Sequence, residues 1–183
     1  MAFNKPNILV PQPALPQIFL DAVADAAVIY GSPIRGEFGS MEELEQKLQR
    51  VNQAQGIPGY LQLDPFPLIF MLTDVPEKRG GPSLYLSEIR VPLIAIMCLT
   101  SRTYSSAERY TNSFTPVLYP IYDAFLLSLS QQPNVVNAMR DIVHTKTDRL
   151  FWGTKPMGTV VSQYVDGISM EGVELTISEN GVC

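Results

Sequence analysis

Few residues of this sequence have the type and spacing that chemistry requires. His144 is the only histidine, which excludes a zinc site of several histidines and leaves a Ser-His-Asp triad one possible base. Asp141 and Asp148 lie close to it in sequence, so an enzyme of unfamiliar type remains one hypothesis. No Gly-x-Ser-x-Gly nucleophile motif accompanies them. We therefore predict that the chain is not an enzyme and has no catalytic, cofactor-binding or metal-binding residues.

The two cysteines and the diglycine do not change that prediction. Cys98 and Cys183 lie far apart without Cys-x-x-Cys partners, so we expect free thiols rather than a redox pair or a disulfide framework. Gly80-Gly81-Pro82 precedes a predicted strand rather than the helix N-terminus that binds phosphate. This segment is interpreted as a turn.

Charge and hydropathy limit the classes of partner. Charged residues make up 17% of the chain, below the roughly 25% of ordinary soluble domains, and the net charge is -5. Affinity for phosphates comes from Lys and Arg, so we expect that any contact of this chain with DNA involves no specific binding. No apolar run approaches the roughly 18 residues of a membrane span, and no secretory signal is visible, which predicts synthesis in a cytoplasm and no membrane partner. The sparse charge indicates a surface that other protein chains cover.

The chain is expected to form one domain preceded by an arm. Residues 1–16 carry four prolines, which resist helix and central-strand pairing, so they predict an extended proline-rich arm before a single domain over residues 17–183. Apolar residues at spacings of three and four predict a first helix from about residue 15: Ile18, Phe19, Ala22, Val23 and Ala26.

Further helices are predicted by two capping boxes, Ser40 to Glu43 and Ser105 to Glu108. The helix after the second box contains Pro116 and Pro120, so we expect it to kink or to restart.

Strands are predicted at residues 28–34, 66–73 and 84–99 and in the C-terminal third, where a slip in alternation at Gly172 indicates a bulge. Residues 74–82 have the composition of a loop. This order of elements predicts an α+β fold, with a mixed, mostly antiparallel sheet and helices packed on one face.

Candidate interface residues are apolar, aromatic or basic side chains in three places. These are the N-terminal arm, the loop at residues 74–82, and the segments around the second capping box and Trp152. Trp152 has a second interpretation, since a lone tryptophan is more often packed in its own core. The candidates are Ile8, Leu9, Val10, Lys78, Arg79, Tyr104, Arg109, Tyr110 and Trp152.

Three stretches together resemble the tail terminators and related neck proteins of tailed bacteriophages. They are Phe66 to Phe70, similar to an early central strand of that family; Thr103 to Tyr122, a loop leading into a helix; and Phe151-Trp152-Gly153 with Tyr164 to Ile168, similar to the family's ending.

The resemblance implies a virion structural protein in the tail or neck. Its subunits would assemble into a ring, commonly hexameric with a dodecamer as the alternative, that caps the tail tube and joins it to the neck and head. Double-stranded DNA would pass through the ring. Two alternatives stay open: another neck or portal-vertex ring, and, outside viruses, a protein-binding module or assembly chaperone.

Overall fold

The computed structural model describes residues 15–53, 66–79, 86–151 and 163–178. The helical elements are α1 (Leu15–Tyr30), α2 (Met41–Gln53), α3 (Ser106–Arg109), a π-helix (Tyr110–Leu118), α4 (Tyr119–Ser130) and a 3-10 turn (Met139–Asp141). The strands are β1 (Arg35–Gly39), β2 (Leu68–Leu72), β3 (Glu77–Arg79), β4 (Leu86–Leu99), β5 (Thr145–Arg149) and β6 (Val165–Ser178).

The strands form one mixed sheet in the order β1-β2-β4-β6-β5, with β3 also paired to β4. Only β1 and β2 run parallel; the other pairs are antiparallel. The 14-residue strands β4 and β6 pair along their whole length and form the centre of the sheet. The predicted α+β fold with a mostly antiparallel sheet is confirmed.

Helix α1 buries its predicted face, and it is longer than the sequence pattern indicated. It starts at Leu15, so it includes the last two residues of the predicted arm, and it continues through Val28 and Ile29, where a strand was predicted. That strand prediction is wrong. The helix ends at Tyr30, and Gly31 directly after it adopts a positive φ of 78° and donates its N–H to the carbonyl of Ala27, as glycines that follow a helix commonly do.

Helices pack on both faces of the sheet, so the prediction of a single covered face is wrong. One core cluster joins α1, the π-helix and α4 to Ile69 and Met71 of β2, and a second joins α2 to Leu68 and Phe70 of the same strand. Alternate side chains of a strand point to opposite faces. Because β2 is apolar at both sets of positions, it needs a helix on each side.

The predicted capping box of α2 is present and fixes where this second layer begins. The backbone N–H of Ser40 donates to the Glu43 carboxylate at 2.6 Å, and the N–H of Glu43 donates to the Ser40 hydroxyl at 3.2 Å. Leu44, Leu48 and Val51 then lie fully buried against the sheet.

Strands β4 and β6 change faces together halfway along. Val91 and Val173 are cross-strand partners on the face of α1, whereas Leu93, two residues beyond Val91, lies on the face of α2. Gly172 has a positive φ of 64° at this point, opposite Pro92. The predicted bulge is therefore wrong. The slip in alternation at Gly172 is a change of face in both strands at the same level, and the pairing register is the same on either side of it.

The two prolines of the long helix are accommodated by a change of helix type. Residues 110–118 form a π-helix that contains Pro116, and Tyr119 donates its N–H to the carbonyl of Phe114, five residues earlier. Pro120 is the second residue of α4. The expected restart with Pro116 in a first turn is wrong, because Pro116 lies inside the π-helix and the flanking Leu118 and Tyr119 have helical φ and ψ, so the helix continues without a break into α4. The other expectation, a kink, stays a prediction.

Candidate functional site

An apolar groove lies on the outer helical layer. It is formed where the end of α1 meets the π-helix and α4, and its volume is about 520 Å³. Ile29, Pro116, Pro120 and Leu127 line it. Among its described lining residues Asp123 is the only charged one, and Asp123 has no ion-pair partner in the described parts of the chain.

The side chains around this groove are unusually exposed for their type. Val28 is 81% exposed and Ile29 is 50% exposed, and Leu127 of α4 is 37% exposed. Contiguous exposed apolar side chains on a soluble domain mark places where another molecule binds. The groove is therefore the strongest candidate for a protein interface in the described structure.

Arg109 and Asp166 form a buried ion pair on the same side of the sheet. The guanidinium Nη1 donates to Asp166 Oδ1 at 2.7 Å, and both side chains are 0% exposed. Nη2 donates to the carbonyl of Ser101 at 2.7 Å and Nε donates to the carbonyl of Tyr104 at 3.2 Å. Arginine's fork of donors thus ties the loop before α3 to the start of β6.

Phe151 closes the other side of this pair. Its ring centroid lies 3.5 Å from the guanidinium carbon of Arg109, and its N–H donates to Asp166 Oδ1 at 3.2 Å. Phe151 adopts a positive φ of 60°, a conformation that costs a non-glycine residue of order 1–3 kcal/mol. The cation–π contact and the hydrogen bond stabilise the residue in that conformation.

Cys98 lies in the same buried region, and burial raises the pKa of its thiol from 9.0 to about 12, with the Asp166 carboxylate adding to the shift. The thiol is therefore protonated at neutral pH. A buried, protonated thiol packs as a small apolar side chain.

A second polar cluster lies on α4 and β5. Tyr119 donates its hydroxyl to Asp148 at 2.6 Å, and Lys146 donates to the same carboxylate at 2.6 Å. Burial, together with the bond to Asp148, raises the pKa of Tyr119 to about 12. Burial and the nearby Asp123 carboxylate also raise the pKa of Tyr122.

His144 contacts neither of the aspartates that the enzyme hypothesis requires. Its Nε2 lies 2.8 Å from the hydroxyl of Tyr122 and its Nδ1 lies 2.8 Å from the carbonyl of Ile142. A carbonyl only accepts, so Nδ1 donates in that bond, and the second ring nitrogen is hydrogen-bonded to the tyrosine hydroxyl. Asp148 instead binds Tyr119 and Lys146, and Asp141 lies beside Arg140 at 3.9 Å.

The predicted interface residues do not form one surface. Tyr104 and Tyr110 are 37% and 39% exposed, beside the loop and the π-helix, and Lys78 of β3 is exposed and pairs with Glu88 at 3.4 Å. Arg109, predicted at an interface, is buried inside the chain, because the carbonyls and carboxylate described above satisfy its donors. Of the others, Arg79 lies in β3, whereas Ile8, Leu9, Val10 and Trp152 lie outside the described residues.

Sequence reasoning missed the groove itself. Val28 and Ile29 were assigned to a strand, and the prolines were considered only as interruptions of a helix. A signal was present at Val28, which lies opposite the apolar face that α1 buries with Val23 and Ala26, whereas Ile29 lies on the same side as that face.

Comparisons of the chain with protein-family models, curated proteins and solved structures give no match. In the described parts of the chain no three His, Cys, Asp or Glu side chains are grouped to hold a metal ion. No helix among the described residues is long and apolar enough to cross a bilayer.

Proposed function

We propose that this chain is a structural subunit of a tailed-bacteriophage virion. It assembles into a ring that terminates the tail tube and joins it to the neck, with DNA passing through the ring and no substrate turned over. The exposed apolar groove between α1 and α4 is the observation that carries the self-assembly part of this proposal. The position of the ring in the virion comes from the sequence resemblance.

Two of the stretches that carry the resemblance are in contact. Arg109 belongs to the second stretch and Asp166 to the third, 57 residues later, and the two form the buried ion pair. Phe151, which opens the third stretch, lies against the same guanidinium. These contacts support treating the stretches as one structural unit rather than as unrelated local similarities.

Charge supports passage of DNA without tight binding. The chain carries 13 basic and 18 acidic residues, so its net charge repels phosphates at a distance. A subunit that surrounds moving DNA needs a surface of this kind. The same composition leaves few charges to keep copies of the chain apart, and permanent interfaces are more apolar than ordinary surface.

The test is the assembly state of the purified full-length chain. Size-exclusion chromatography with light scattering gives the mass, and negative-stain electron microscopy gives the symmetry. We expect a closed ring, hexameric for a tail terminator, that binds the open end of purified tail tubes. A ring of twelve that binds portal vertices instead would indicate another neck ring.

A chain that stays monomeric at high micromolar concentration and does not bind tail tubes contradicts the proposal. The groove would then be the binding site of a different protein, which is the module or chaperone alternative.

A further inference from the structure

The occupant of the apolar groove can be inferred from the chain's own N-terminal segment, residues 1–14. We propose that this segment of one copy docks in the groove between α1 and α4 of a neighbouring copy. The inference rests on the proposed ring and specifies the contact that links its subunits.

Composition makes the N-terminal segment a suitable occupant. It contains the apolar run Ile8-Leu9-Val10 and three prolines, and Lys5 is its only charged side chain. Proline-rich segments bind apolar grooves flanked by aromatic rings at a small entropic cost, because their backbone freedom is already restricted. Among the described lining residues Tyr30 supplies an aromatic ring, and Pro116 and Pro120 add apolar rings beside it.

Charge is complementary as well. The groove carries the carboxylate of Asp123, with no ion-pair partner among the described residues, and the segment carries the ammonium of Lys5. An exposed pair of this kind adds little affinity. It does match the one charged side chain of the segment with the one described charged side chain of the groove.

Chain length alone allows the segment to reach the groove of its own copy or that of a neighbouring copy. The segment joins α1 at Leu15, and the groove lies at the other end of that helix, at Ile29, about 21 Å away at 1.5 Å per residue. Leu9 and Ile8 lie six and seven residues before Leu15 and extend to at most about 22 and 25 Å. Reaching its own groove therefore requires the segment to be almost fully extended along α1, whereas docking in a neighbouring groove has no such requirement. The proposed ring, which needs a contact between copies, selects the neighbour.

Disulfide trapping tests the proposal in the full-length chain. All variants carry Cys183→Ser, and Cys98 is buried. One chain carries Leu9→Cys and a second carries Leu127→Cys; they are mixed, assembled and oxidised. The control replaces Leu127→Cys with Met41→Cys, a similarly exposed apolar residue on α2, across the sheet.

We expect a covalent dimer of the two chains at Leu127. Its yield should exceed that of the control at least about tenfold, because docking raises the local thiol concentration from micromolar towards millimolar. Deleting residues 1–10 should also weaken assembly at least about tenfold.

The outcomes separate this inference from the proposed function. Rings that form with equal yields at Leu127 and Met41, or that survive the deletion unchanged, overturn the docking and leave the ring intact. A chain that never assembles contradicts the ring and the docking together. A single chain carrying both Leu9→Cys and Leu127→Cys that closes an internal disulfide as a monomer shows the segment in its own groove, which also overturns the proposal.

Discussion

Replacing Arg109 with methionine should be among the most destabilising single changes in this chain. Arg109→Met keeps much of the side-chain length but leaves Asp166 at 0% exposure with no opposite charge, and it removes the donors to the carbonyls of Ser101 and Tyr104. Breaking a buried pair by removing one partner costs about 3–5 kcal/mol, because the remaining charge stays buried. We expect the free energy of unfolding to fall by that amount.

The measurement is urea denaturation followed by far-UV circular dichroism, at one protein concentration because assembly itself stabilises the fold. Arg140→Met is the matched control, since the Arg140 side chain is 90% exposed and lies 3.9 Å from Asp141. Its effect should stay within about 0.5 kcal/mol. In thermal unfolding the Arg109 variant should melt roughly 6–20 °C lower, at about 2–4 °C per kcal/mol.

A double variant checks that the loss comes from the unpaired charge. Arg109→Met combined with Asp166→Leu removes both charges from the same buried site. The double variant should be destabilised by less than the sum of the two single variants, with a coupling of about 0.5–3 kcal/mol. The reasoning is refuted if Arg109→Met costs under about 1 kcal/mol, or if the two changes are additive.

Three further predictions concern separate parts of the chain. The Tyr119 phenol should ionise with a pKa of about 12 instead of 10.0, because it is buried and hydrogen-bonded to the Asp148 carboxylate. The measurement is the difference between the alkaline absorbance titrations of the unmodified chain and of Tyr119→Phe. Because the pKa of Cys98 is about 12 rather than 9.0, its thiolate fraction at pH 8 should be about 10³-fold smaller than that of an exposed cysteine. In a Cys183→Ser chain, Cys98 should therefore react with a thiol reagent only after unfolding. Gly172→Ala should lower the free energy of unfolding by about 1–2 kcal/mol, because alanine disfavours positive φ. The loss should exceed that of Gly31→Ala, since a methyl at 172 meets a guanidinium and one at 31 meets open space.

Each of these has a contradicting outcome. A phenol with a pKa near 10.0, a native thiol that reacts as fast as free cysteine, or equal losses at the two glycines would contradict the geometry described. The sign of the pH effect follows from the pKa values. The pKa of Cys98 is raised on folding, so the stability that its neutral form contributes is complete below pH 9.0 and is lost as the pH rises towards about 12.

The elements with strong local signals were predictable from the sequence. The buried face of α1 matches the predicted residues one for one, and both capping boxes are formed. Strand β2 lies within the strand predicted at residues 66–73. A strand that is apolar at successive positions has to be buried on both faces, and here helices cover each face. These features depend on residues at most a few positions apart.

Features that depend on distant residues were not predictable. Strand β5, Thr145 to Arg149, is polar throughout, so it lacks the apolar pattern that predicts a strand; it forms by pairing with β6, its one partner among the described strands. No residue near Arg109 in sequence indicates that Arg109 forms a buried ion pair with Asp166. The extension of α1 through Ile29 was not predictable either. β-branched residues such as Val28 and Ile29 favour strands, but here they continue a helix that the preceding residues have already formed.

The π-helix gives the long helix a place where a change of length can be taken up. Between Tyr110 and Leu118 each turn holds more residues than in an α-helix. The loss of one residue there can be absorbed by a return to α-helical spacing, with the flanking turns kept close to their present orientation. The loss of one residue from α4 has no such outlet and rotates the residues on one side of the deletion by about 100° relative to the other side. For variants of this chain, the π segment is thus the part of the long helix in which a one-residue deletion is best tolerated.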